Sequence, residues 1–461
     1  MKDNVWDTYS EEDLKELNEL GEDYKDFISL GKTEREVVEI SINQVKQFGF
    51  HDLEEYIKEN KKLIPGNKIY VNNRGKSLAL FVIGEEDIEN GINILGAHID
   101  SPRLDLKATP LYEDTSFVYF DTHYYGGIKK YQWVTLPLAL HGVVVKKDGT
   151  KIKINIGEKE NDPVVGITDL LPHLGEKQLK KEASKVIDGE ALDILIGSRP
   201  LKKEKEEDKD LSKKYILNLL KESYNIEEED FLSAEIEVVP SGRARDFGLD
   251  RSMIMAYGQD DKVCAYTSLK SFLNVGTCKK TISCILVDKE EIGSVGATGM
   301  QSTFYENAIL EIASLLGKKE LTTLPRILSN SKMLSSDVNA AYDPLYTDVM
   351  DKRNSSYFNN GVVFCKYTGS RGKYDSNDAN AEFIAEVRRV MDQNNVHFQI
   401  SELGKVDAGG GGTIAYVLAN KNVNVIDCGV GVLSMHAPWE VTSKSDIYEA
   451  YKCYKAFLKE I

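Results

Sequence analysis

Five short segments of this 461-residue chain place histidine or carboxylates where an apolar run gives way to a loop. The first is Gly96-Ala97-His98-Ile99-Asp100-Ser101, directly after the apolar run 92–95. A histidine at a strand end reaches a metal ion through one ring nitrogen. A carboxylate two residues later points the same way, because side chains alternate along extended backbone. Asp100 is thereby placed to hold the other ring nitrogen of His98. The second segment, Gly258-Gln259-Asp260-Asp261, opens a helix, where adjacent acids also serve as caps favoured by the helix dipole. The third, Asp288-Lys289-Glu290-Glu291-Ile292-Gly293-Ser294, comes at the end of the run 281–288, which reads as a strong buried strand. Neighbouring glutamates there cannot face the same way, so one can bind metal while the other handles protons. Gly293, Gly296 and Gly299 permit close backbone approach nearby. The fourth and fifth are Ser335-Ser336-Asp337-Val338 and Met435-His436-Ala437-Pro438-Trp439-Glu440.

Each segment alone has an ordinary reading as a polar loop, a cap or a turn. Together they offer two histidines and several acids from separate strand ends, the donor set of a site for two cations. Zinc takes His nitrogen and carboxylate oxygen at ~2.0–2.2 Å. Paired ions ~3.5–4 Å apart need a bridging carboxylate. The six cysteines, Cys264, Cys278, Cys284, Cys365, Cys428 and Cys453, show no CxxC pairing and sit mostly in apolar runs. They read as reduced, buried thiols in a reducing compartment, which leaves an N/O site as the consistent choice.

The elements that must position these groups follow from periodicity. In open α/β sheets ligands bind outside the carboxyl ends of the strands. The runs 77–83 and 92–95 read as strands with little polar alternation, as expected for a sheet covered on both faces; 281–288 reads as a strong buried strand and 422–427 as another strand. Helices are expected over the first fifty residues, where Thr33 and Glu36 have capping-box spacing and Val37, Val38, Ile42 and Val45 follow with helical period. Further helices are expected at 261–272, 381–391 and 445–458. Between about Pro102 and Val239 helical signals thin out, and strand-like pieces at 141–145 and 151–155 appear between turns. The mixed-charge run 202–210 reads as a solvated loop or helix face. The expected fold is therefore α/β: a mixed-sheet sandwich domain formed by residues 1–101 and 240–461, split by a smaller β-rich inserted domain at 102–239.

Composition bounds the partners. Apolar residues make up 41 % and charged residues 29 %, the profile of a soluble globular protein. A net charge of −16 disfavours nucleic acid and anionic membranes. The charged N-terminal stretch has no apolar signal-peptide core, and no run approaches the ~20 residues of a membrane span. A cytoplasmic location is expected.

The order Gly96-Ala97-His98-Ile99-Asp100-Ser101-Pro102-Arg103, Asp260-Asp261, Asp288-Lys289-Glu290-Glu291-Ile292-Gly293-Ser294, Ser336-Asp337, Met435-His436 resembles that of the aspartyl-aminopeptidase family of two-zinc exopeptidases. The likeness runs from about Leu80 to the C-terminus. It implies a zinc-exopeptidase sandwich fold with an inserted domain and removal of single residues from the free amino end of peptides through a metal-activated water. It further implies that His98 and Asp337 bind one zinc, Glu291 and His436 the other, and that Asp260 bridges them with Asp261 beside it. Glu290 would be the general base and Asp100 would orient His98. Cobalt or manganese are possible substitutes for zinc in such N/O sites. The family's Pro-His-Leu stretch corresponds to Pro172-His173-Leu174, and His173 is implied to reach a neighbouring subunit's site and help bind substrate. Assembly through the inserted domain into dimers and then dodecamers is implied as well.

One stretch departs from the family. Eukaryotic members carry an Asp-Arg-Asp after a glycine pair, whereas here the sequence is Gly126-Gly127-Ile128-Lys129-Lys130-Tyr131-Gln132-Trp133. Acidic, basic and neutral first residues all stay in play. Two rival readings keep the metal site: a deacylase or carboxypeptidase, and a peptide-binding assembly protein that does not cut. The spare carboxylate of the Glu290-Glu291 pair argues against the latter.

Overall fold

The computed structural model describes residues 4–461 except 370 and 375. The chain forms two compact units. One comprises the residues up to Asp100 with Ala244–Met435 and Glu440–Ile461; the other comprises Ser101–Arg243 and His436–Trp439.

In the first unit the apolar runs build a nine-stranded mixed sheet. Its spatial order is His51–Asp52, Lys68–Asn73, Ser77–Val82, Thr281–Val287, Ile92–His98, Lys332–Ser335, Asn424–Gly429, Val362–Cys365 and Phe398–Ser401. The centre consists of Thr281–Val287, Ile92–His98, Lys332–Ser335 and Asn424–Gly429, each parallel to the next. Ser77–Val82, Ile92–His98 and Thr281–Val287 are buried at every residue, since helices cover both faces. Alternation sorts the side chains between two cores. Leu78, Leu80, Leu95, Ala97, Cys284 and Leu286 face Tyr266, Phe272, Tyr454 and Phe457. Ala79, Phe81, Ile92, Ile94, Ile285 and Val287 face Tyr305, Ile309 and Ile312. Gly96 packs closely here: a methyl there would lie 2.3 Å from Met333 Cε and displace the end of that side chain.

The expected helices are present, and those within the first fifty residues begin with capping boxes. Thr33 Oγ1 accepts the Glu36 N–H at 3.3 Å, and Glu36 Oε2 accepts the Thr33 N–H at 3.2 Å, starting Glu34–Gln47. Ser10 and Asp13 form the same reciprocal pair at the start of Glu11–Leu30. Gln259–Leu273, Ala381–Gln393 and Lys444–Glu460 complete the layer on one face. A five-stranded sheet, Arg245–Phe247, Met253–Ala256, Glu440–Ser443, Gly431–Leu433 and Asn339–Ala340 in spatial order, lies in the same unit.

The second unit is a six-stranded sheet in the order Lys151–Ile156, Leu138–Val145, Ala234–Pro240, Arg103–Asp114, Phe117–Tyr125 and Ile194–Gly197, all pairs antiparallel. Buried Leu104, Val118, Phe120, Trp133, Leu140 and Ile194 are among its core residues. At the entry strand, Arg103 Nε donates to Asp105 Oδ1 at 2.8 Å and lies 3.2 Å from Glu237 Oε2 in an ion pair, with its guanidinium 3.9 Å from the Tyr125 ring. The segment 202–210 is irregular, and the helix Leu211–Tyr224 that follows corrects the expectation that helical signal fades throughout 102–239. Leu211, Tyr215, Ile216, Leu219 and Leu220 carry helical spacing there, but only Ser212 is fully buried, so the stripe is weak beside that of a core helix.

The six cysteines are unpaired, and five are buried. No helix among the described residues is long and apolar enough to cross a membrane.

Candidate metal centre

The register of the central strands aligns their carboxyl ends. Val287 lies opposite His98, and Ser335 opposite Gly96. His98 is therefore the last residue of its strand, Glu290 and Glu291 follow just past Val287, and Asp337 follows just past Ser335. Three separate stretches of sequence deliver their polar side chains to one edge of one sheet.

The helix Gln259–Leu273 brings the fourth. Gly258 has φ 71°, and neither Asp260 (φ −77°, ψ 106°) nor Asp261 (φ −117°, ψ 24°) is helical. The peptide bond between the two is cis. Both carboxylates point back onto the strand end at His98. Asp261, fully buried, accepts the His98 N–H through Oδ2 at 3.3 Å. Asp260 Oδ1 faces His98 Nε2 at 3.1 Å.

Asp100 organises the other side. Its Oδ1 lies 3.2 Å from His98 Nδ1 and accepts the Glu290 N–H at 3.1 Å, while Oδ2 accepts the Glu291 N–H at 3.2 Å. One buried carboxylate thereby holds the imidazole and the turn Glu290–Ile292 together. A proton on Nδ1, shared with Asp100, leaves Nε2 as the ligating atom. Glu290 Oε2 lies 3.9 Å from that Nε2.

Two overlapping groups have all their donor atoms within 4.8 Å of one another: His98 with Asp260 and Asp337, and His98 with Glu290 and Glu291. Such a cluster could hold a cation. Burial pushes the Asp337 and Asp261 carboxyls well above the usual carboxylate range, and each is raised further by the carboxylates beside it. Burial alone would depress His98, yet its bonds to Asp100 and Asp260 reverse this and raise it well above the ordinary imidazole value. A donor set of one imidazole and four carboxylates, with no thiol, fits zinc.

His436 follows Gly431–Leu433 at φ 63° and groups with the second unit, where its Nδ1 lies 2.8 Å from the Gly127 carbonyl oxygen. A backbone carbonyl on Nδ1 is the usual partner of a histidine that ligates through Nε2. His173 sits exposed in the single turn Pro172–Leu174 of that unit. Glu440, quoted with His436 but given no role from sequence, is buried in the first unit and accepts the Asp260 N–H. Nothing in its spacing announces this, because the bond crosses 180 residues.

Gly429 ties this geometry to the packing. A methyl there would lie 1.9 Å from the Asp337 carbonyl oxygen. The backbone carrying Asp337 would have to move, so Gly429→Ala is expected to cost about 1–3 kcal/mol or more and to weaken zinc binding with it. Chemical denaturation and zinc competition measure the two effects.

The profile of the family described as aminopeptidase I zinc metalloprotease (M18) matches residues 27–458. The chain belongs to the M18 family. A probable M18 family aminopeptidase 1 of Clostridium acetobutylicum is 58 % identical over 455 residues, covering 99 % of this chain and 97 % of the relative. The crystal structure of aminopeptidase I from Clostridium acetobutylicum superposes with a TM-score of 0.93 at 56 % identity, covering 99 % of each chain. That of the M18 aminopeptidase from Thermotoga maritima gives 0.94 at 44 % identity over 100 % of each. A more distant likeness, at 20 % identity and a TM-score of 0.76 over 95 % of this chain and 96 % of the other, is to the S. cerevisiae mApe1 dodecamer, and it carries the fold alone. The fold is thus the α/β architecture of M18 peptidases. The reaction class of this M18 chain is that of a zinc-dependent aminopeptidase, a hydrolase of peptide bonds.

Proposed function

We propose that this M18 chain removes the N-terminal residue of peptides at a two-zinc centre built from its strand ends. His98 and Asp337 would hold one ion and Glu291 and His436 the other, with Asp260 as the ligand they would share. Asp100 orients His98, and Glu290 is the general base. The observation that carries this reading is the convergence of His98, Asp337, Glu290 and Glu291 at the carboxyl ends of adjacent parallel strands with Asp260 from the start of the helix Gln259–Leu273, within reach of common ions. When bound, the pair supplies a Lewis acid for the scissile carbonyl and a water whose pKa falls from 15.7 towards ~7.

The chain's own groups do the rest. Glu290 stands on a turn pinned through its N–H by Asp100, with its carboxylate close to the His98 ligating nitrogen. It takes the proton of the attacking water on a carboxylate oxygen and returns it to the leaving amine. The free α-amine of the substrate is cationic, and the carboxylate-rich edge of the sheet is the natural place for it. His173 is proposed to act in a neighbouring subunit's site. A homo-oligomer formed through the second unit, as dimers and a dodecamer, is proposed in support of that. Val164, Leu170, Leu171, Leu174 and Leu179, within ten residues of His173 in sequence, are exposed on that unit. A cytoplasmic location is proposed from the six unpaired cysteines. Cobalt and manganese are proposed as substitutes for zinc.

A rate panel tests the reading. Zinc-loaded protein is assayed on aminoacyl substrates with acidic, basic and apolar first residues, beside N-acetylated controls. Cleavage is expected of free but not of blocked substrates. Turnover confined to N-acetylated substrates would replace this reading by deacylation, and turnover at the carboxyl end by a carboxypeptidase.

A further inference from the structure

Glu440 ends the 435–440 motif, is 1 % exposed, and is not in the ligand set proposed above. It opens the strand Glu440–Ser443, opposite Ala256 on Met253–Ala256, the strand that leads into the Gly258 turn. Its Oε2 accepts the Asp260 N–H at 3.0 Å. The first N–H groups of a helix have no partner within it, and Asp260 stands outside helical φ and ψ at that start, so its N–H needs an acceptor from elsewhere, which Glu440 supplies. The main chain of Glu440 holds the preceding residue too. Its carbonyl accepts from Gln259 Nε2 at 2.7 Å, and the same amide donates to the Ile254 carbonyl at 3.0 Å. Gln259 Oε1 in turn accepts the Tyr24 hydroxyl at 3.1 Å. Side chain and backbone of one residue therefore clamp both sides of the Gln259–Asp260 peptide.

We propose that Glu440 is a positioning residue of the metal centre, fixing the Asp260 backbone so that the Asp260 carboxylate is aimed at His98 and the ions. This rests on the proposal that Asp260 is a ligand. Groups that orient a metal ligand typically change affinity 10–100-fold when removed.

The test is zinc titration of chelator-stripped full-length protein against a chromophoric chelator. Glu440→Ala is expected to weaken zinc binding by about 10–100-fold, and Glu440→Gln, which keeps an acceptor oxygen for the Asp260 N–H, is expected to stay near the parent. Asp260→Ala is expected to lose zinc altogether at one position. If Glu440→Ala binds like the parent while Asp260→Ala loses zinc, the positioning role is overturned and the ligand assignment stands. Equal losses in the alanine and glutamine variants also overturn it. Parent-like binding by Asp260→Ala removes the ligand assignment and the inference with it. Glu440→Leu keeps most of the volume without an acceptor, and it reads the same quantity should the alanine variant not fold.

Discussion

Glu290→Gln is expected to reduce turnover on an unblocked aminoacyl substrate by about 10²–10⁴-fold, the range contributed by a positioned general base, with zinc content unchanged. The side chain keeps its size, and the Glu290 N–H keeps its bond to Asp100, so the turn that presents Glu291 is undisturbed. What is lost is the ability of the carboxylate to take a proton. The check is kcat with zinc measured on the same sample. Parent-like turnover would move the base to another carboxylate of the cluster. A parallel loss of zinc would mean that Glu290 is a ligand, as its approach of 3.9 Å to His98 Nε2 also permits.

The second large effect is metal removal. Chelation is expected to abolish aminopeptidase activity and to lower the melting temperature, both restored by zinc. An ion that binds only the folded chain stabilises it by about 4 kcal/mol at a thousandfold excess over its dissociation constant. The stripped protein is also expected to become pH-sensitive. Asp337 and Asp261 have pKa values raised above the ordinary 3.8. Each binds its proton more tightly folded than unfolded, so stability is present at low pH and is lost as pH climbs from the ordinary carboxylate range through the folded values. His98, raised above 6.5, has the same sign: its contribution is full below the unfolded value and is lost on passing the folded one. Melting curves of stripped protein from pH 4 to pH 9 should therefore fall more steeply than those of zinc-loaded protein, in which a divalent cation replaces the protons. Superimposable curves would count against a metal at this cluster.

How much of this was legible in one sequence depended on the range of the interaction. Strand runs such as 77–83 and 281–288 and the Thr33–Glu36 capping box are local patterns, and they stand in the structure close to where periodicity put them. The candidate ligands were legible because each sits at a junction between an apolar run and a loop, where chemistry and topology coincide. The helix Leu211–Tyr224 escaped because its apolar stripe packs only partly and follows a stretch of mixed charge.

By itself the sequence determined residue chemistry and period: which side chains offer nitrogen or carboxylate oxygen, which runs are buried on both faces, and which family pattern the order of motifs follows. Only the tertiary structure decided what those groups do to one another. The parallel register of Thr281–Val287, Ile92–His98 and Lys332–Ser335 brings donors more than 150 residues apart in sequence to one edge. Asp260 and Asp261 turn their carboxylates inward onto His98, and Glu440 reaches across 180 residues to hold the Asp260 N–H. The physical reason is that period and propensity act over one or two turns of chain, whereas strand register and buried hydrogen bonds are settled by packing between distant segments.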